Sequence, residues 1–118
     1  MKRVYFLSTC NTCQRIMAQV PGIERFEQID IKQQNISEED LDKAAKVAGS
    51  YEGVFSKRAR KFRAQGLHEQ TLQEADYKSL ILNEYTFLKR PVFFLDDQVY
   101  IGNSKKVVNQ LIEDVTGA

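Results

Sequence analysis

The chain has 118 residues, 42% apolar and 28% charged, with a net charge of +1. That length suits one domain with a real core and is too short for two, and so small a charge gives no bulk attraction to nucleic acid or a membrane, leaving only local patches. No apolar run approaches the roughly 20 residues of a membrane span, and Met1-Lys2-Arg3-Val4 does not open a signal peptide, so a cytoplasmic protein is expected.

In chain order, residues 3–8 are nearly all apolar, as in a strand buried on both faces. Thr9 or Cys10 then caps a helix expected from about Asn11 to Val20, with Ile16, Met17 and Val20 on one face and Pro21-Gly22 ending it. Phe26, Ile29 and Ile31 mark a second strand within residues 25–31, which completes a β-α-β unit of parallel-crossover length. Ser37 followed by Glu38-Glu39-Asp40 is a capped helix start. Leu41, Ala44 and Ala45 supply its apolar face, and Gly49-Ser50 closes it. Residues 54–63 are basic and without a clear period. Thr71-Leu72-Gln73-Glu74 reads as a second capping box, opening a helix through Tyr77, Leu80, Ile81 and Tyr85 to about Leu88. Residues 91–95 form a buried strand, Asp96-Asp97 a turn and residues 98–102 its hairpin partner. Asn103 or Ser104 caps a last helix with Val107, Val108, Leu111, Ile112 and Val115 on one face, ended by Gly117. The expected class is α/β: a mixed sheet with flanking helices in the order β-α-β, helical middle, β-β-α.

Cys10 and Cys13, the two cysteines of the chain, fall at the first strand–helix junction. A disulfide between them would close a very small loop and stabilise little, so a working dithiol is the better reading. A thiol at a helix N-terminus meets the positive end of the macrodipole and unpaired N–H groups, both of which favour thiolate. Cys10 is therefore the candidate nucleophile, and Cys13, one turn on, the resolving thiol that attacks a mixed disulfide. The alternatives are two core thiols or half a zinc site; the latter would need two more ligands, with His68 the one nitrogen donor available. Such a thiol pair at the first strand–helix turn of a mixed sheet is the thioredoxin-like arrangement.

Two further features carry charge. Lys57-Arg58-Ala59-Arg60-Lys61-Phe62-Arg63 holds five cations in seven residues. It reads as a solvated helix face, as an oxyanion site built on guanidinium groups, or as a surface for an acidic partner. Arg90-Pro91 precedes the late strand. In a thioredoxin-like fold this proline is commonly cis and faces the dithiol, which would bring Arg90 near Cys10.

With Cys10-Asn11-Thr12-Cys13, Ser56-Lys57-Arg58 and Leu88-Lys89-Arg90-Pro91-Val92 in this order and spacing, the chain resembles the arsenate reductase (ArsC) family, which includes the Spx transcription regulators. The resemblance implies a single thioredoxin-fold domain over residues 1–118 with a helical insertion at about 37–88. It implies Cys10 as nucleophile, and Arg90 together with Arg58 (or Arg60) as oxyanion-binding residues. Arsenate-reducing members carry a third arginine after the hairpin, where this chain reads Tyr100-Ile101-Gly102-Asn103-Ser104. Losing one charged donor costs roughly 1.5–3 kcal/mol of anion binding. The function expected is a thiol-dependent reductase acting on an oxyanion or a disulfide. It would need no bound metal or organic cofactor, only an external reductant such as glutaredoxin with glutathione, or thioredoxin. The alternative is a Spx-like redox sensor that binds RNA polymerase.

Overall fold

Lys2–Phe6 forms β1, the strand on which the sheet is laid. The computed structural model describes residues 1–117, in two compact units: Met1–Gln34 with the chain from Arg90 onward, and Asn35–Lys89. In the first unit β1 runs parallel to β2 (Glu27–Asp30), with Val4 opposite Gln28. On its other side it pairs antiparallel with β3 (Val92–Leu95), with Val4 opposite Phe93. β4 (Gln98–Ile101) extends the sheet beside β3, giving the order β2-β1-β3-β4. Consecutive Val4 and Tyr5 are both buried, as are all four side chains of β3. Successive residues point to opposite faces, so the centre of the sheet is covered on both sides.

Asn11–Gln19 forms α1 between β1 and β2, and Lys105–Gly117 forms α5 after the hairpin. Ile16 and Met17 of α1 and Val108 and Leu111 of α5 share one core with Val4, Phe93, Leu95 and Tyr100 of the sheet. Val108 and Leu111, three apart, share one face of α5, and Ile16 and Met17 lie three and four residues after the buried Cys13 on one face of α1. Gly22, at φ +70°, turns the chain out of α1 into a 3₁₀ turn at Ile23–Arg25. Asp96 takes φ +54° in the two-residue hairpin turn, a conformation aspartate tolerates better than most residues. Ser104 Oγ accepts the Val107 N–H and so caps α5. The Tyr100 hydroxyl donates to Asp114 on the same helix. Burial, with that carboxylate, pushes its pKa up to about 12.

The second unit holds α2 (Glu38–Ala48), the short α3 (Arg60–Ala64) and α4 (Glu74–Asn83). Ser37 caps α2 by accepting the Asp40 N–H at 3.1 Å, and Gly49 ends it at φ +89°. Ser37→Ala is expected to cost about 1 kcal/mol of stability, read as a lower urea midpoint with an unchanged slope. Phe55 centres an aromatic cluster. It stacks on Phe87 at 5.0 Å and meets Tyr77 and Phe62 edge-on at 5.0 and 5.7 Å. A single antiparallel bridge joins Phe55 to Leu88.

Two expectations are corrected here. The cap of α4 is Gln73 paired with Asp76, not Thr71 with Glu74. The Glu74 carboxylate is already engaged, accepting the backbone N–H groups of Tyr51 and Glu52 at 2.6 and 3.2 Å. The helix also stops at Asn83 instead of reaching Leu88. Glu84 turns extended at φ −146°, its carboxylate taking the Thr86 N–H and pairing with Lys61, and a separate 3₁₀ turn follows at Tyr85–Phe87.

Candidate thiol site

The turn from β1 into α1 carries the two thiols. The Cys10 N–H donates to the Leu7 carbonyl at 3.0 Å, and the Gln14 N–H reaches the Cys10 carbonyl at 3.2 Å. These two bonds place Cys10 at the N-cap of α1, with extended backbone (φ −94°, ψ 111°). Cys13 lies one turn later, fully buried, whereas Cys10 is half-buried. Both are free thiols.

Their acidities are pushed apart. Burial pushes Cys10 up, but four influences outweigh it: the Cys13 backbone N–H, the Cys13 thiol, and the hydrogen bond and positive charge of Arg90. The net shift is below the ordinary thiol value. Cys13 goes the other way, to about 11, through burial and the competing charge of Cys10. Cys10 is therefore the more readily ionised of the two, and Cys13 keeps its proton at neutral pH.

Arg90 reaches this site from the start of β3. The Arg90–Pro91 peptide is cis, and the Pro91 carbonyl accepts the Gly102 N–H at 2.9 Å. Pro91 is buried and Arg90 half-buried. Cys10, Cys13 and Arg90 are thus brought together within one unit. Arg58 and Arg60 belong to the other unit, Arg58 in the turn before α3 and Arg60 as its first residue; both are exposed. Within that basic run, Lys57 pairs with Glu52 and Lys61 with Glu84. His68 lies in a 3₁₀ turn, with its ring 6.4 Å from that of Phe62. Among the described residues no three of His, Cys, Asp and Glu come together as a metal would require. Nor is any helix there long and apolar enough to cross a membrane.

Because Arg90 favours the charged form of Cys10, Arg90→Gln is expected to raise the Cys10 pKa. The pH profile of iodoacetamide alkylation would then move to higher pH, with less thiolate at every pH below the new midpoint. An unmoved profile would show that Arg90 does not tune the thiol.

The sequence from Tyr5 to Leu111 matches the model of the ArsC family. The chain belongs to the ArsC family. No curated protein sequence matches it. Solved structures similar to this ArsC chain include an arsenate reductase from Vibrio cholerae, 14% identical, with 95% of each chain covered and a TM-score of 0.74. An arsenate reductase (ArsC) related protein from Brucella melitensis is 20% identical, with 89% of this chain and 88% of that one covered and a TM-score of 0.65. An ArsC family related protein from Bacteroides fragilis is 19% identical, covering 93% and 96% respectively, at a TM-score of 0.78. At such identities the likeness establishes the fold, a thioredoxin-like α/β arrangement with a mixed four-stranded sheet.

The sequence pattern points to the two thiols directly, and to Arg90 through the expected thioredoxin-like fold and then the family resemblance. It did not single out Asp30 or Gln14, whose side chains hold the backbone of Ser8 at 3.3 and 2.9 Å. The signal available was an acidic residue closing the second strand, next to a turn whose N–H groups need acceptors.

Proposed function

We propose that this ArsC-family protein is a thiol-dependent reductase in which Cys10 is the nucleophile and Cys13 the resolving thiol. The observation that carries this reading is the placement of the two thiols: Cys10, half-buried, at the N-cap of α1 beside Arg90, which lowers its pKa, and Cys13 one turn on, buried, which raises its own. With an arsenate-like oxyanion, the Cys10 thiolate bonds to the central atom and a water or hydroxide leaves. Cys13 then loses its proton and attacks Cys10 Sγ. The S–S bond forms, the bond from sulfur to the oxyanion atom breaks, and its electron pair reduces that atom by two electrons. With a disulfide substrate the same two steps release two thiols. Either route ends in a Cys10–Cys13 disulfide, which an external dithiol such as glutaredoxin or thioredoxin reduces. Arg90 supports the anion throughout; for Arg58 and Arg60 an oxyanion role rests on the family resemblance.

The pair is self-regulating. The charge of Cys10 is part of what keeps Cys13 protonated. Once Cys10 is bonded to substrate that charge is gone, and Cys13 becomes the more acidic thiol when its attack is due. We also read residues 1–118 as one thioredoxin-fold domain with the helical unit as its insertion.

Mass spectrometry of the thiols after arsenate, and separately after an oxidised glutathione-type disulfide, tests the proposal. Loss of two hydrogens, mapped to Cys10 and Cys13, is the expected result. Two unoxidised thiols after both treatments would reject it. The absence of arginine in residues 100–104 favours disulfide over oxyanion as substrate. It equally suits a Spx-type regulator, for which capture of RNA polymerase dependent on the dithiol state is the deciding measurement.

A further inference from the structure

The turn that presents Cys10 is held on both sides of Ser8, away from sulfur. The Ser8 N–H donates to Asp30 Oδ1 at 3.3 Å, and the Ser8 hydroxyl donates to the same carboxylate. The Ser8 carbonyl accepts Gln14 Nε2 at 2.9 Å. Asp30 is itself well anchored. The Lys32 N–H donates to its Oδ1 at 3.2 Å, and its own carbonyl takes the N–H groups of Gln33 and Gln34, each at 2.9 Å. The Ile31 N–H continues the ladder onto the Phe6 carbonyl at 2.8 Å. Gln14 makes a second attachment, because its backbone N–H holds the Cys10 carbonyl. The end of β2 and the first turn of α1 therefore grip one peptide, two residues before the nucleophile.

We infer that Asp30 is a positioning residue for Cys10. Its carboxylate fixes Ser8, with Gln14 as the opposing hold, so that Cys10 Sγ meets the Cys13 N–H and the Arg90 guanidinium. The inference rests on the reading of Cys10 as the nucleophile. Only hydrogen-bond acceptance is asked of Asp30, not its charge. The sign of the effect separates the two: a carboxylate acting through space disfavours a nearby thiolate, so its removal would lower the Cys10 pKa. Loss of positioning raises it.

The test is the pH profile of iodoacetamide alkylation at Cys10, read peptide by peptide in the full chain for wild type, Asp30→Ala, Asp30→Asn and Gln14→Ala. Asp30→Ala should raise the midpoint; a rise of about one pH unit leaves roughly tenfold less thiolate at neutral pH. Asp30→Asn keeps an acceptor and drops the charge, so its profile should stay with wild type. Gln14→Ala, a change at an exposed side chain, should shift in the same direction as Asp30→Ala. An Asp30→Ala midpoint equal to or below that of wild type overturns the inference. If Asp30→Ala does not fold, Gln14→Ala decides, and its unmoved profile overturns the inference as well. A wild-type midpoint in the ordinary thiol range would instead remove the nucleophile reading itself, which distinguishes the two failures.

Discussion

Cys10→Ser should abolish turnover, by about 10³-fold or more, the scale of loss on removing a covalent nucleophile. A serine hydroxyl is far less acidic than a thiol, and Arg90 cannot make up so large a difference. Cys13→Ser should fail differently. The first attack still occurs, but the adduct on Cys10 has no internal partner to displace it. With a disulfide substrate the single-cysteine protein should therefore accumulate a mixed disulfide on Cys10, visible as the added mass of one half of the substrate. Multiple turnovers would then require an external thiol at high concentration. Wild-type rates from Cys10→Ser would end the nucleophile assignment. Undiminished turnover from Cys13→Ser, with no trapped adduct, would end the resolving role alone.

Phe93→Ala should have the largest effect on stability. Phe93 is 1% exposed on β3, pairs across the ladder with Val4 and Tyr100, and meets the Phe26 ring edge-on at 5.7 Å. It also joins the sheet to the core side chains of α1 and α5. Removing such a ring costs about 3–5 kcal/mol, from lost transfer energy and the cavity left behind. Domains of this size hold only about 5–15 kcal/mol in total. A fall in melting temperature of roughly 10–20 °C is expected, against a few degrees for Ser37→Ala. A drop of under about 3 °C would show that the core repacks around the gap.

Most of the fold was legible because its signals are local. The apolar runs gave β1 and β3, Ser37 with three acids gave the start of α2, and the face at 107, 108, 111, 112 and 115 gave α5. Where the reading failed, a distant residue had intervened. Glu74 looks like the N3 acid of a capping box, but it is spent on the backbone of Tyr51 and Glu52. Glu84 looks helical, but Lys61 and Thr86 draw it out of the helix. Residues 54–63 had no period because they hold a bridge, a turn and the first four residues of a short helix. The same division holds at the site. Cys10 and Cys13 are neighbours in sequence and were plain to read. Asp30 acts through a loop backbone, which leaves no pattern in residue type.

The sheet order has a consequence for the growing chain. β1 is made first, yet its partner β3 is made only after the whole second unit, and Arg90 arrives just ahead of β3. Until then the Cys10 thiol lacks the guanidinium that acidifies it. During synthesis Cys10 is without the hydrogen bond and positive charge that Arg90 brings in the folded chain. Completion of the sheet thus divides the labour of the two thiols: Cys10 gains acidity from Arg90 as Cys13 is buried and loses its own.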